Sequence, residues 1–94
     1  MNLKLSHETI LKLRIKHNVL TSEIEECFLN RTKGLLEDTR EHNKTCPPTL
    51  WFIAETNYGR SLKIVFIELS NGQYQIKSAY EPNDLEVEIY EKYA

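Results

Sequence analysis

The chain has 94 residues, a formal charge of −2 and an apolar share of 40%, which allows one hydrophobic core and leaves a surface cleft as the place for any site. No apolar run approaches the ~20 residues that a membrane-spanning helix needs, and the opening Met1-Asn2-Leu3-Lys4-Leu5 lacks a secretory pattern, so one cytoplasmic domain over residues 1–94 is expected. The negative balance disfavours a protein that holds nucleic acid by charge alone.

Ser6, followed by Glu8 and Thr9, opens a helical pattern that turns Ile10, Leu13 and Val19 inward and sets Lys12 and Lys16 four apart on another face. Asn18 is a left-handed stop. Thr21-Ser22 then starts a second helix, with Ser22 and Glu25 spaced as a capping box and Ile24, Cys27 and Phe28 as its apolar stripe. Asn30 to Gly34 breaks the pattern, and Leu35-Leu36 begins a short strand running toward Asp38 and Arg40. Cys27 reads as core and Cys46 as a second free thiol. Their spacing matches no zinc or haem pattern, and neither metal nor cofactor is expected.

Glu41 to Pro48 is polar and ends in a double proline, which makes it a loop. Thr49 to Thr56 and Arg60 to Leu69 read as strands, the second apolar on both faces. Gly59 supplies the positive φ of a bulged hairpin between them, in the turn Asn57-Tyr58-Gly59-Arg60. Asn71-Gly72 predicts a two-residue hairpin into a last strand, Gln73 to Tyr80, with Tyr74, Ile76, Ser78 and Tyr80 sharing one face. Pro82 ends that strand, and Asn83 with Glu86 forms a capping box for a helix through Tyr93. The expected fold is α+β in the order ααββββα: two N-terminal helices, an antiparallel three- to four-stranded meander and a C-terminal helix, the helices flanking one face of the sheet. The tail is acidic, with Glu81, Asp84, Glu86, Glu88 and Glu91 against Lys92, and reads as a solvated helix face on a mildly basic body.

Several side chains have both a chemical and a structural reading. His17, at the end of the first helix, suits acid or base work near neutrality, or simply closes the helix C-terminus. Arg60 leaves the hairpin at the start of a buried strand, where its guanidinium could clamp a phosphate or pair with Asp38 or Glu55. Arg40 has the same ambiguity. Tyr80 is placed to stack a nucleobase or to cover the sheet. Trp51 and Phe52 alternate across one strand and read as packing, while His7 and His42 read as surface residues.

Lys16-His17-Asn18-Val19 with Glu25 and Phe28, then Asp38 to Arg40, then Gly59-Arg60 with Leu62, Ile64, Val65 and Phe66, and finally Ile76, Ser78-Ala79, Glu86 and Tyr90 stand in an order that resembles the BrnT family. These are small ribonucleases of bacterial toxin–antitoxin pairs, related in fold to the RelE-like group. The chain has Asn18 where the family has glycine and Tyr80 where it usually has arginine, a phosphate-handling group. The runs Pro47 to Trp51 and Ser78 to Pro82 are also similar to short proteobacterial proteins labelled ADP-ribosyl-(dinitrogen reductase) hydrolases.

The family resemblance implies metal-independent RNA cleavage, active or degenerate. His17 or Glu81 would serve as base, Arg60, Arg40 and Lys16 would stabilise the phosphorane, and Tyr80 would stack a base. It implies RNA and an antitoxin or other protein as partners. A non-catalytic interaction module, with a protein partner or a homodimer, is the alternative. ADP-ribose hydrolysis is disfavoured, because authentic enzymes of that kind are larger, all-helical and hold two magnesium ions on clustered aspartates that this sequence does not supply.

Overall fold

The computed structural model describes residues 2–40 and 46–94. Its elements are β1 (Leu3–Lys4), α1 (His7–His17), α2 (Thr21–Asn30), β2 (Leu36–Glu37), β3 (Thr49–Glu55), β4 (Ser61–Glu68), β5 (Tyr74–Tyr80) and α3 (Asp84–Tyr93). The α+β class and the two helices, meander and final helix are as expected. The sheet, however, has five strands in the order β1-β5-β4-β3-β2, because β1 adds to β5 in parallel through Leu3 and Lys4. The other pairs are antiparallel. Part of the predicted 41–48 loop, with His42, lies outside the described residues.

Local chemistry sets the helix ends. Ser6 caps α1 by accepting from the Thr9 amide, and Asn18 closes it at φ 52°, returning its amide to Arg14 and Leu13. Val19 follows directly into the core, and α2 begins at Thr21 as expected, but with Leu20 rather than Ser22 at the cap. The Glu23 carboxylate accepts from the Leu20 amide at 3.0 Å instead, and a leucine at that cap position offers no reciprocal acceptor. The Asn83/Glu86 box of α3 forms in both directions, at 2.9 and 2.8 Å.

Both hairpins have three-residue loops. Thr56 donates to Arg60 and Gly59 to Thr56; Leu69 donates to Gln73 and Gly72 to Leu69. Only the glycines have positive φ in these turns, 84° each, so the Asn71-Gly72 turn is a bulged hairpin rather than the predicted two-residue one. Nothing lies within 4 Å of where a Gly59 Cβ would stand. Gly59→Ala is therefore expected to cost about 1–2 kcal/mol from backbone strain alone, read as a lower urea midpoint at unchanged slope. An unchanged midpoint would mean that the turn relaxes freely.

The sheet is covered on both faces, unlike the one-sided arrangement expected. Phe28 of α2 packs on Phe52, Phe66 and Tyr74 at 4.8–5.4 Å, and α1 lies over β5, where Ile76 and Ala79 are buried. On the other face Tyr90 of α3 meets Trp51 at 5.7 Å. Two helices thus cover one side and α3 the other.

A bulge decides which side Tyr80 joins. Val65 pairs with Ser78 while Phe66 pairs with Ile76, so Lys77 is an extra residue in β5. An extra residue reverses the alternation of side chains. Tyr74 and Ile76 consequently share their face with Ala79, while Ser78 and Tyr80 turn to the α3 face beside Lys63, correcting the single-face expectation.

Candidate functional site

Five of the six predicted site residues meet at one end of the sheet. Lys16, His17, Arg60, Tyr80 and Glu81 line a shallow cleft of about 600 Å³, and the rings of His17 and Tyr80 lie 5.6 Å apart. The C-terminus of α1, the start of β4 and the end of β5 bring them together. Arg40 does not join them. It lines a second hollow of about 670 Å³, between β2, Trp51 and α3.

Arg60 is the centre of the first cleft, and it is occupied. Its Nε donates to Glu81 Oε2 at 2.8 Å, Nη1 to the Asn18 carbonyl at 2.7 Å and to both Glu23 oxygens at 3.2 Å, and Nη2 to the His17 carbonyl at 2.9 Å. The partners are Glu23 and Glu81 rather than Asp38 or Glu55. The guanidinium, not the His17 imidazole, satisfies the carbonyl end of α1. Through Glu23, which also caps α2, one side chain ties α1, α2, β4 and the end of β5 together. Burial works against its charge, but the hydrogen bonds it donates to Glu81 and Glu23 outweigh that and hold its pKa above the usual arginine value. Glu81, expected as a base, accepts this bond on Oε2 with its side chain 66% exposed.

The β3–β4 hairpin that leads into Arg60 is held by α2. Asn30 donates to the Glu55 carbonyl and to Asn57, both at 3.0 Å, and Glu26 accepts from the Asn57 amide at 2.9 Å. Cys27 is fully buried as expected, its thiol donating to the Ala54 carbonyl at 3.6 Å. Burial, with Glu23 and Glu26 adding to it, pushes that thiol up to about 12, which keeps it protonated and unreactive.

The second hollow contains residues that no sequence pattern singled out. Lys63 is only 7% exposed. Its ammonium donates to Glu86 Oε2 at 2.6 Å and stands 4.4 Å from the Trp51 ring centre and 5.6 Å from that of Tyr80. Tyr80 donates its hydroxyl to the same Glu86 oxygen at 2.9 Å, while Glu86 Oε1 serves the α3 cap. Burial would raise the Glu86 pKa, but the bonds from Lys63, the Asn83 amide and Tyr80 win and lower it. Burial, then the bond to Glu86, raises that of the Tyr80 phenol and keeps it neutral. Arg40 forms a fork on Asp38 at 3.1 and 2.9 Å, which holds that carboxylate below its ordinary value. The one available signal for Lys63 is a charge inside the apolar run Leu62 to Ile67.

Tyr80 is therefore a seam. It touches His17 on one side and the Lys63–Glu86 pair on the other. Among the described residues no group of three or more His, Cys, Asp or Glu is placed to hold a metal ion, and no helix is long and apolar enough to cross a membrane. Comparison of the chain with protein-family models, curated proteins and solved structures finds no match.

Proposed function

We propose that this chain is a non-catalytic interaction module, a degenerate relative of the toxin-type ribonucleases that keeps the scaffold and has lost the nuclease site. One observation carries this reading. Three of the four Lys and Arg side chains that line the two hollows are bonded to carboxylates of the chain, Arg60 to Glu23 and Glu81, Lys63 to Glu86, and Arg40 to Asp38, with Lys16 as the exception. A phosphate arriving at any of those three meets a pair already neutralised and must displace a carboxylate to gain a partner. The tyrosine that stands at the family's arginine position belongs to the same pairing, since it bonds Glu86.

The convergence of Lys16, His17, Tyr80 and Glu81 favours the second reading, metal-independent RNA cleavage with His17 as base. Induced expression in a bacterial host separates the two. The interaction-module reading predicts undisturbed growth and intact messenger RNA in cells that accumulate the protein. Growth arrest with cleaved RNA, relieved by His17→Ala, would establish the nuclease.

A further inference from the structure

We infer that the chain associates head to tail with further copies of itself, the α1 face of one copy seated in the hollow beside α3 of the next. Large exposed hydrophobic side chains on a small protein mark contact surfaces when they are contiguous rather than scattered. Five of them fall in two stripes at helical spacing: Leu11 and Ile15 on α1, and Leu85, Ile89 and Tyr93 on α3. Ile15 is 81% exposed and Leu85 is 63% exposed, so the folded monomer leaves both largely uncovered. The α3 stripe continues into the hollow, whose floor includes Trp51 and Leu36.

The charges beside the stripes are opposite. Exposed Lys12, Arg14 and Lys16 surround Leu11 and Ile15, with Glu8 as the acidic exception. Exposed Asp84, Glu88 and Glu91 share α3 with the second stripe, with Lys92 as the exception, and Glu37 stands at the edge of the hollow, where Arg40 is the other exposed basic side chain and is paired with Asp38. A two-fold contact through either stripe would set like charges against each other, whereas α1 against α3 pairs basic with acidic. The two stripes lie on helices covering opposite faces of the sheet. A single pair of copies cannot satisfy both, and the contact repeats from copy to copy.

This inference rests on reading the chain as an interaction module, but sedimentation and RNA integrity are separate readouts, so either can fail alone. Sedimentation velocity of the full chain at low salt, over a range of concentrations, should show species larger than a dimer that shrink as salt rises. Ile15→Glu and Leu85→Lys change exposed positions and should each sediment as a monomer with an unaltered circular dichroism melt. Mixed in equal amounts, they should form a one-to-one dimer and nothing larger, because one intact α1 face then meets one intact α3 hollow. Monomeric wild type at every concentration, single variants that still assemble, or a mixture that stays monomeric would each overturn the inference.

Discussion

Arg60→Ala should destabilise the protein by about 2–4 kcal/mol, because it strands two carboxylates and two helix-end carbonyls that now share one guanidinium. A substrate clamp makes a different prediction. Groups held for ligand binding are drawn from the less stable part of a structure, and their removal leaves folding nearly unchanged. The side chain of Arg60 is 24% exposed and that of Glu81 66% exposed, so the two ends of the pair should respond unequally. Glu81→Ala should cost under about 1 kcal/mol, as exposed pairs do. Urea unfolding of both variants reads the difference directly. Equal, small losses would show that Arg60 is not what joins α1 and α2 to the sheet.

The largest loss is expected from Glu86→Ala, about 3–5 kcal/mol. That change removes half of the α3 capping box, the acceptor for Tyr80 and the counter-charge of a buried lysine. For a domain of this size it is a large share of the total stability. Adding Lys63→Met should return roughly half of the loss, since an apolar chain in that position needs no counter-charge. A double variant no more stable than the single one would mean that the cap, not the lysine, dominates.

Acid should act through the same carboxylate. The folded-state pKa of Glu86 is lowered, so its contribution is fully present above the unfolded carboxylate value and is lost as pH falls through the folded one. Asp38 contributes in the same direction, through its fork with Arg40. Stability of the wild type should accordingly decline on acidification through the carboxylate range, and Glu86→Ala should flatten that decline.

The features legible in the sequence are those settled by neighbours a few residues apart. Ser6, Asn18, Gly59 and the Asn83/Glu86 pair each act within one turn, and each does what its residue type predicts. The α2 start at Thr21 follows the sequence, but its cap does not: Ser22 and Glu25 have the spacing of a box, while the group that serves the helix end is Glu23, on the Leu20 amide. β1 has two residues and a partner some seventy positions away, which no local periodicity reveals. The Lys77 bulge left no composition mark either, yet it sends Tyr80 to the α3 face.

The site was half legible for a similar reason. Sequence order and the family resemblance selected Lys16, His17, Arg60, Tyr80 and Glu81, and these do come together. What they do there depends on Glu23 and Glu86, whose carboxylates arrive from 37 and 23 residues away, and of the two only Glu86 reads locally as a helix cap. A cap glutamate has two oxygens, and in both helices the group that serves the cap also holds a cation. The double use turns a set of basic and aromatic residues into an internally neutral cluster.

Binding of a fluorescently labelled single-stranded RNA, followed by anisotropy at low salt, tests that neutrality most directly. If pairing Arg60, Lys63 and Arg40 with their own carboxylates leaves the seam unable to hold phosphate, the purified protein should show no saturable binding, and His17→Ala and Lys16→Ala should leave the trace unchanged. Saturable binding that weakens with salt and is lost in those two variants would contradict the account.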